Sequence, residues 1–504
     1  MKRTLQYIAL ASVLVSGAGC KKFLEEKNPS NFTQDQYFTS AQQAQAAINE
    51  LYKDIRFITD GAGTYGESPF LMLEYPTGLS LPPEAAQSQW NGTLRDLTSS
   101  SDNNYFYSWW QNCYKAIANA NLAIKRIPGV NMDETTKNQY LGEARFMRAL
   151  NYFYLVRLFG DVPFQVEPVT GPDDPNLSLP RSSADSIYNL IVTDLTTAEG
   201  LGLPNTDASG RASLGAVKSL LSTVYLTMAG YPLNKGAEYY KKAADKAGEV
   251  VKGNFYTLFD SYNKLHDPAF KNQGEFIFQS NYLVGANITS TLCAYMVPRQ
   301  KGTTNFSDEY GLLRPTPQFF ASYEPGDKRT QERQFYYTKY PAVKAPHDTV
   351  YFGAPYLYKY FDSAAALSSS PQSDENWTIM RYPEVLFNYA EALNEANGGP
   401  TQEAYDAINL VRKRALLPPL SGLNQQQFRE AVWRERYHEL PFENKTWFDM
   451  VRTRKVYNTT KNTFENFVGF KFTYGPTLTE KYLLFGIPTR EINNNKKLTQ
   501  NPGW

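Results

Sequence analysis

Small and apolar residues recur at three- and four-residue spacing in paired segments along this 504-residue chain, and that pattern commits it to stacking helices on one another. One pair covers residues 107–127, with Cys113, Ile117, Ala120 and Ile124 on one face and a stop at Pro128-Gly129, and residues 136–159, ending at Gly160. The second member is apolar around most of its circumference, so burial is expected. Residues 212–229 and 237–251 form another pair, in which Tyr239, Ala243 and Ala247 fall four apart and let a neighbouring backbone approach. A third pair, residues 382–396 and 402–414, offers Tyr389, Ala392, Ala404, Ala407 and Ile408 for contact. Ahead of them, Ser40 and Gln43 make a candidate capping box for a helix carrying Ala44, Ala47, Ile48, Leu51 and Ile55.

The repeated unit resembles the tetratricopeptide helical pair, in degenerate and widely spaced copies. The expected fold is therefore mainly all-α, a scaffold of such pairs with long inserted loops and a few short strands. Two insertions, residues 60–101 and 254–375, are rich in aromatics, proline and glycine and show little helical pattern. Short strands are expected within the second, at 275–279 and 350–360. Loops of such length in a compact protein are frequently functional, so the binding site is sought there. No Pro/Gly/Ser-rich linker divides the chain, although residues 171–180 are loop-like, and residues 32–504 read as one body with parts 32–253 and 254–504.

The N-terminus speaks for export. Met1, Lys2 and Arg3 precede an apolar run at 5–15, too short to span a bilayer, so residues 1–19 read as a signal peptide. Ser16-Gly17-Ala18-Gly19-Cys20 resembles the lipobox of a bacterial lipoprotein, with Gly17 where Leu is usual; Cys20 is the expected lipidation site and residues 20–31 the tether. A net charge of +1 with no basic block argues against nucleic acid as a partner. Besides Cys20 only Cys113 and Cys293 remain, either as a pair or, more usually for an apolar helical position such as Cys113, as buried thiols.

Several segments, in order along the chain, carry a resemblance to a known family. They include Asn28-Pro-Ser-Asn, Tyr114-Lys-Ala-Ile-Ala-Asn, Gly142-Glu-Ala-Arg-Phe-Met-Arg-Ala-Leu and Phe159-Gly-Asp-Val-Pro-Phe. Further on stand Arg381-Tyr-Pro-Glu-Val-Leu-Phe-Asn-Tyr-Ala-Glu-Ala, Glu435-Arg-Tyr-His-Glu-Leu-Pro-Phe-Glu, Trp447-Phe-Asp-Met-Val-Arg and the closing Gln500-Asn-Pro-Gly-Trp. With these the chain resembles the SusD/RagB proteins. The resemblance implies an outer-membrane lipoprotein, facing outward, that captures glycan or another nutrient and hands it to a TonB-dependent transporter of the SusC type. It also implies a binding surface built from inserted loops.

Sugar rings present C–H faces ringed by hydroxyls, so a glycan site needs flat aromatics beside amide, carboxylate or guanidinium groups. Five of the seven tryptophans lie in or beside the helical pairs and Trp504 closes the chain, which leaves Trp90 alone in a long polar loop. With Asn91, Arg95 and Asp96 it is the candidate platform; a structural Trp packed on the scaffold is the competing reading. Tyr282, Tyr295, Tyr310, Arg314 and Phe319 are candidate partners from the second insertion, against a background in which most of 36 tyrosines must be structural.

The charged motifs point to structure rather than catalysis. Glu435 and Glu439, like Arg434 and His438, are one helical turn apart, and Asp449 and Arg452 are three apart, which is the spacing of ion pairs within a helix. Glu143, Arg145 and Arg148 are read as bridges between paired helices. Three scattered histidines supply no zinc motif, so no cofactor is expected, while a structural calcium stays open. The alternatives to a glycan binder are a glycoside hydrolase or lyase, which needs two carboxylates facing one cleft, and a peptide-binding tetratricopeptide-like scaffold.

Overall fold

The computed structural model describes residues 38–60, 66–85, 88–299 and 301–504; the segments expected to be signal peptide, lipidation site and tether lie outside them. Helix α1, Ala41–Asp54, starts at Ser40, whose Oγ accepts from the Gln43 N–H at 3.3 Å. The return bond goes elsewhere, because Gln43 Oε1 accepts from the Thr39 N–H at 2.7 Å, so only half of the expected box forms. A short helix α2, Gln89–Arg95, interrupts the first insertion. Then comes a continuous stack. Helix α3 (Asn104–Arg126) packs on α4 (Glu134–Phe159), α4 on α5 (Ala184–Glu199), α5 on α6 (Leu214–Ala229), and α6 on α7 (Ala237–Lys252). Helix α7 packs directly on α8 (Tyr382–Asn397), which also holds α9 (Gln402–Arg414) and α10 (Gln425–Glu439). The second insertion is thus looped out between two helices that touch.

All three expected pairs are present, and α5 is an additional helix that the sequence reading passed over. It matters because Asp194 on α5 receives Arg145 at 2.9 Å and Arg148 at 2.7 Å, so these two residues of α4 do bridge helices. Glu143 reaches further, to Arg211 at 2.9 Å and to the Tyr52 hydroxyl on α1. From Gly142 to Phe159 helix α4 is buried on nearly every side, as its composition requires.

Among the described residues the strands form four two-stranded antiparallel pairs. Strands β1 (Val162–Pro163) and β2 (Arg181–Ser182) bracket the loop after α4. Strand β3 is Phe276–Ser280, and β4 (Tyr336–Pro341) pairs with β5 (Thr349–Leu357). Strand β6 (Trp377–Arg381) closes on β3 with Ser280 opposite Trp377 and Phe276 opposite Arg381, fastening the neck of the second insertion. After helix α11 (Thr446–Thr453) follow β7 (Lys455–Asn458) and β8 (Thr463–Asn466), and α12 (Thr489–Asn494) precedes the C-terminal residues. One hydrophobic core runs from Ala44 to Leu498, and a smaller one gathers Cys293, Phe306, Tyr337, Phe352 and Phe361 around β4 and β5. Cys113 and Cys293 are both free and buried; burial pushes the Cys293 thiol up to about 12.

The first insertion departs from the loop expected of it. Pro69–Leu73 and Tyr75–Thr77 are two 3-10 turns, each begun by a proline or with one in its first turn, and all their residues are buried. Phe70, Leu71, Met72, Leu73 and Tyr75 make this stretch core rather than binding surface.

Glu435 and Glu439 also find partners other than those their spacing suggested. Arg381 pairs with Glu275 at 3.1 Å, Glu439 at 2.6 Å and Glu443 at 2.8 Å. Arg414 reaches Glu439 at 2.7 Å and also pairs with Glu275, while Arg329 takes Asp327 at 2.6 Å and Glu435 at 3.1 Å. Arg412 joins Glu435 at 2.6 Å. Apart from Arg329–Asp327, two residues apart, these pairs join separate segments, and all but Arg412's partner Glu324 are buried. Asp449 and Arg452 do pair within α11 at 2.7 Å, with Glu391 and Arg436 completing the group. His438 is buried, its Nε2 at 3.1 Å from Ser322 Oγ, and burial holds it neutral.

Candidate functional site

The two insertions meet along a short antiparallel seam. Ser80 bridges to Pro315, and the N–H groups of Leu81, Glu84 and Ala85 donate to the carbonyls of Arg314 (2.9 Å), Gly311 (3.1 Å) and Tyr310 (2.9 Å). Gly311 sits at φ 53°, and a Cβ there would lie 2.6 Å from Glu84 Oε2, so only glycine lets the strands come this close. The seam brings Tyr310 and Arg314 beside the stretch that leads to α2.

Trp90 lies on α2, a seven-residue helix, rather than in the loop expected. Ser88 caps that helix by accepting from the Trp90 N–H at 3.2 Å, and its own hydroxyl donates to buried Glu67 at 2.7 Å. The indole is half-buried with one side on the main core. From Glu67 a chain of contacts crosses to the second insertion: the Tyr295 hydroxyl donates to the Glu67 carbonyl at 3.4 Å, and the Tyr295 ring meets Tyr310 edge-on at 5.1 Å. Trp90 and half-buried Tyr310 are therefore tied to one framework.

Four of the expected contact residues are committed inward. Asn91 is buried, giving its Nδ2–H to the Gly66 carbonyl at 3.0 Å and accepting from the Tyr105 hydroxyl at 2.6 Å, so it anchors α2 instead of facing ligand. Tyr282 is buried at the end of α1, its hydroxyl 2.5 Å from Thr59 Oγ1 and 3.5 Å from Asp60, whose carboxyl burial raises to about 6. Tyr295 is buried as well, and Phe319 belongs wholly to the core. Arg95 lies flat on the Tyr474 ring at 3.8 Å and pairs with exposed Asp96 at 3.1 Å. Both stay near the surface of α2.

Arg314 remains partly exposed and lies in a polar knot that sequence reasoning did not find. It pairs with Glu84 at 3.4 Å and donates to the Tyr356 hydroxyl at 3.3 Å. Glu84 also accepts from the Tyr356 hydroxyl and from the Arg299 N–H at 2.9 Å. Burial and the adjacent Glu84 raise the Tyr356 phenol to about 12, which keeps it a hydrogen-bond donor. Glu84 follows Pro82-Pro83 and Tyr356 lies near the end of β5; neither carries a motif of its own, because only tertiary folding makes them neighbours. Among the described residues no group of three or more His, Cys, Asp or Glu side chains is disposed to hold a metal, and no helix is long and apolar enough to cross a membrane.

Comparison with known proteins matches residues 274–504 to the family described as "SusD family" and residues 22–226 to one described as "Starch-binding associating with outer membrane". A crystal structure of a SusD superfamily protein from Parabacteroides distasonis is 39% identical, with a TM-score of 0.87 over 92% of this chain and 99% of that one. The chain belongs to the SusD family. Among its curated SusD-family relatives, SusD-like protein P2 of Formosa agariphila is 28% identical across 90% of this chain and 91% of its own length. The starch-binding protein SusD of Bacteroides thetaiotaomicron is 24% identical across 77% and 76%. Helical scaffold, looped-out insertions and seam are in this chain the body of a SusD-family protein.

Proposed function

We propose that this protein is a noncatalytic glycan catcher. Cys20 would carry its lipid anchor on the outer membrane, with display outward, and a SusC-like transporter would receive the captured oligo- or polysaccharide. The observation that carries this reading is the seam between the insertions, which holds half-buried Tyr310 next to the Arg314–Glu84–Tyr356 knot and is tied, through Tyr295 and Glu67, to the helix that bears half-buried Trp90. Rings supply faces for sugar C–H groups, and the knot supplies both donors and acceptors for hydroxyls. Asp96 and Arg95 extend the polar rim on the α2 side. Relatives named for starch binding agree with it, as does a fold likeness to a laminarin-binding SusD-like protein.

The conspicuous acids fit poorly with hydrolysis. Glu439 is held down at about 2 by Arg414, Arg381 and Arg329, so it has no proton to give a leaving group near neutral pH. Two rings at ~2 kcal/mol each would give roughly millimolar affinity per site, which suits a long polymer presenting many copies of its unit.

Affinity electrophoresis of the mature protein through a panel of polysaccharides tests the reading. Retardation by at least one polymer, abolished in Trp90→Ala with an unchanged melting temperature, is the expected result. Unaltered retardation of the variant removes Trp90 from the site, and chromatographic evidence of shortened chains would replace binding by catalysis.

A further inference from the structure

A second concave region lies away from the seam, where the C-terminal end of α4, the start of α5, the turn after α6, helix α11 and the last residues of the chain enclose a cleft of about 1050 Å³. Its wall is largely apolar, with Val156, Tyr188, Leu233, Phe448, Val451 and Leu484 among the lining residues. Clefts of this size and character are where small ligands are held.

Arg157 sets this cleft apart. Its guanidinium is sandwiched between the rings of Phe153 and Phe448, at 3.7 and 3.6 Å from their centroids, and its Nε–H donates to the Phe153 carbonyl at 2.9 Å. No carboxylate lies within ion-pair distance of it among the described residues, in contrast to Arg148, Arg329, Arg381, Arg412, Arg414 and Arg452, each of which has at least one at 3.1 Å or less. Burial without such a partner lowers Arg157 to about 10.

Of the other cations lining the cleft, Arg452 is paired with Glu391 and Asp449, but Arg181 and Arg454 share this condition. Arg181 spends its donors on the carbonyls of Asp161, Phe159 and Thr499 and on Asn501 Oδ1. Arg454 donates to the Val451 carbonyl at 3.1 Å and lies over the ring of Tyr231, which is 44% exposed. The acids of the wall are turned to other work or to solvent: Asp161 accepts from the Ala184 N–H, Asp185 pairs with Lys235, and Glu480 is exposed. An uncompensated guanidinium in an apolar wall calls for an anion that brings its own apolar surface.

We infer that this cleft binds an amphiphilic carboxylate, its head on the outer guanidinium nitrogens of Arg157 and its apolar body along Val156, Leu233, Phe448 and Leu484. The carboxylate can be carried by an alkyl chain or by an aromatic acid, and the chemistry at Arg157 is the same for both.

Isothermal titration calorimetry of the mature protein with octanoate, ferulate and 1-octanol decides the matter. Saturable binding of octanoate, ferulate or both is expected, at least about tenfold tighter than 1-octanol, the margin of one charge-assisted hydrogen bond. Octanoate alone identifies an alkyl source, and ferulate alone an aromatic one. Arg157→Met should weaken the acid by about tenfold or more and leave the alcohol unchanged. Should that variant melt early, Val451→Trp, which fills the cleft from α11, should lose acid and alcohol together while polysaccharide retardation persists. No saturation by either acid, equal affinity for acid and alcohol, or an acid affinity indifferent to both substitutions overturns the assignment.

Discussion

Glu439 meets three guanidiniums in a site without water-exposed surface, and its carboxylate is thereby part of the fold's electrostatic balance. Removing its charge leaves Arg381, Arg414 and Arg329 under-compensated, so Glu439→Gln should destabilise the protein by about 3–5 kcal/mol in urea unfolding at pH 7. Its folded-state value, about 2, lies below the ordinary 4.5, so the stability it contributes is whole above about pH 4.5 and is lost as pH falls toward 2. Glu74 runs the other way. Burial raises it to about 7, while its Oε1 accepts from the Asn444 N–H at 2.6 Å and Nδ2–H at 2.8 Å. Its folded form prefers the proton, so stability falls as pH rises from about 4.5 to 7. Glu74→Gln keeps an oxygen for Asn444 and removes the charge; it should stabilise by on the order of 2 kcal/mol at pH 8 and make little difference at pH 4, as thermal unfolding at the two pH values will report. The spacing of Glu435 and Glu439 on one helix was legible in the sequence, but their partners were not. Arg329 and Arg381 reach them from the second insertion and its neck, and no local pattern records such a meeting.

At the scale of elements, α7 and α8 approach closely because small residues face the contact. A Cβ at Gly248 would lie 3.1 Å from the Tyr389 ring, and Ala243, Ala244 and Ala247 are buried on the same helix. Gly248→Val should therefore cost about 1–3 kcal/mol through overpacking, measured by chemical denaturation, whereas Gly399→Ala, with open space around it, should change stability far less. This stripe was readable in advance from Ala243 and Ala247. Helix α5 was not, for a physical reason: Thr193, Thr196 and Thr197 crowd its second half with β-branched side chains that local propensity disfavours. Their hydroxyls return to carbonyls four residues back, at 2.8, 2.8 and 2.7 Å, and tertiary packing of Ile187, Ile191 and Leu195 outweighs the propensity. Trp90 misled in a similar way, since Asn91 and Gly92 argue against a helix until Ser88 caps one and Asn91 is pinned by Tyr105.

Across the whole molecule, the end of the chain returns to its early helices. Trp504 meets Phe106 of α3 edge-on at 5.2 Å and donates its indole N–H to the Leu484 carbonyl at 3.0 Å. Asn501 donates to the carbonyls of Phe159 and Phe485 at 3.0 and 2.7 Å. Deleting Gln500–Trp504 should lower stability by about 3 kcal/mol or more, from one lost indole and the carbonyls left bare, and calorimetry will show it as an earlier melt. The clasp also sets a timetable. Helices α3 and α4 leave the ribosome long before residue 504, yet part of the wall against them is supplied by Asn501 and Trp504, so the first long hairpin to be made stays open until those residues have emerged.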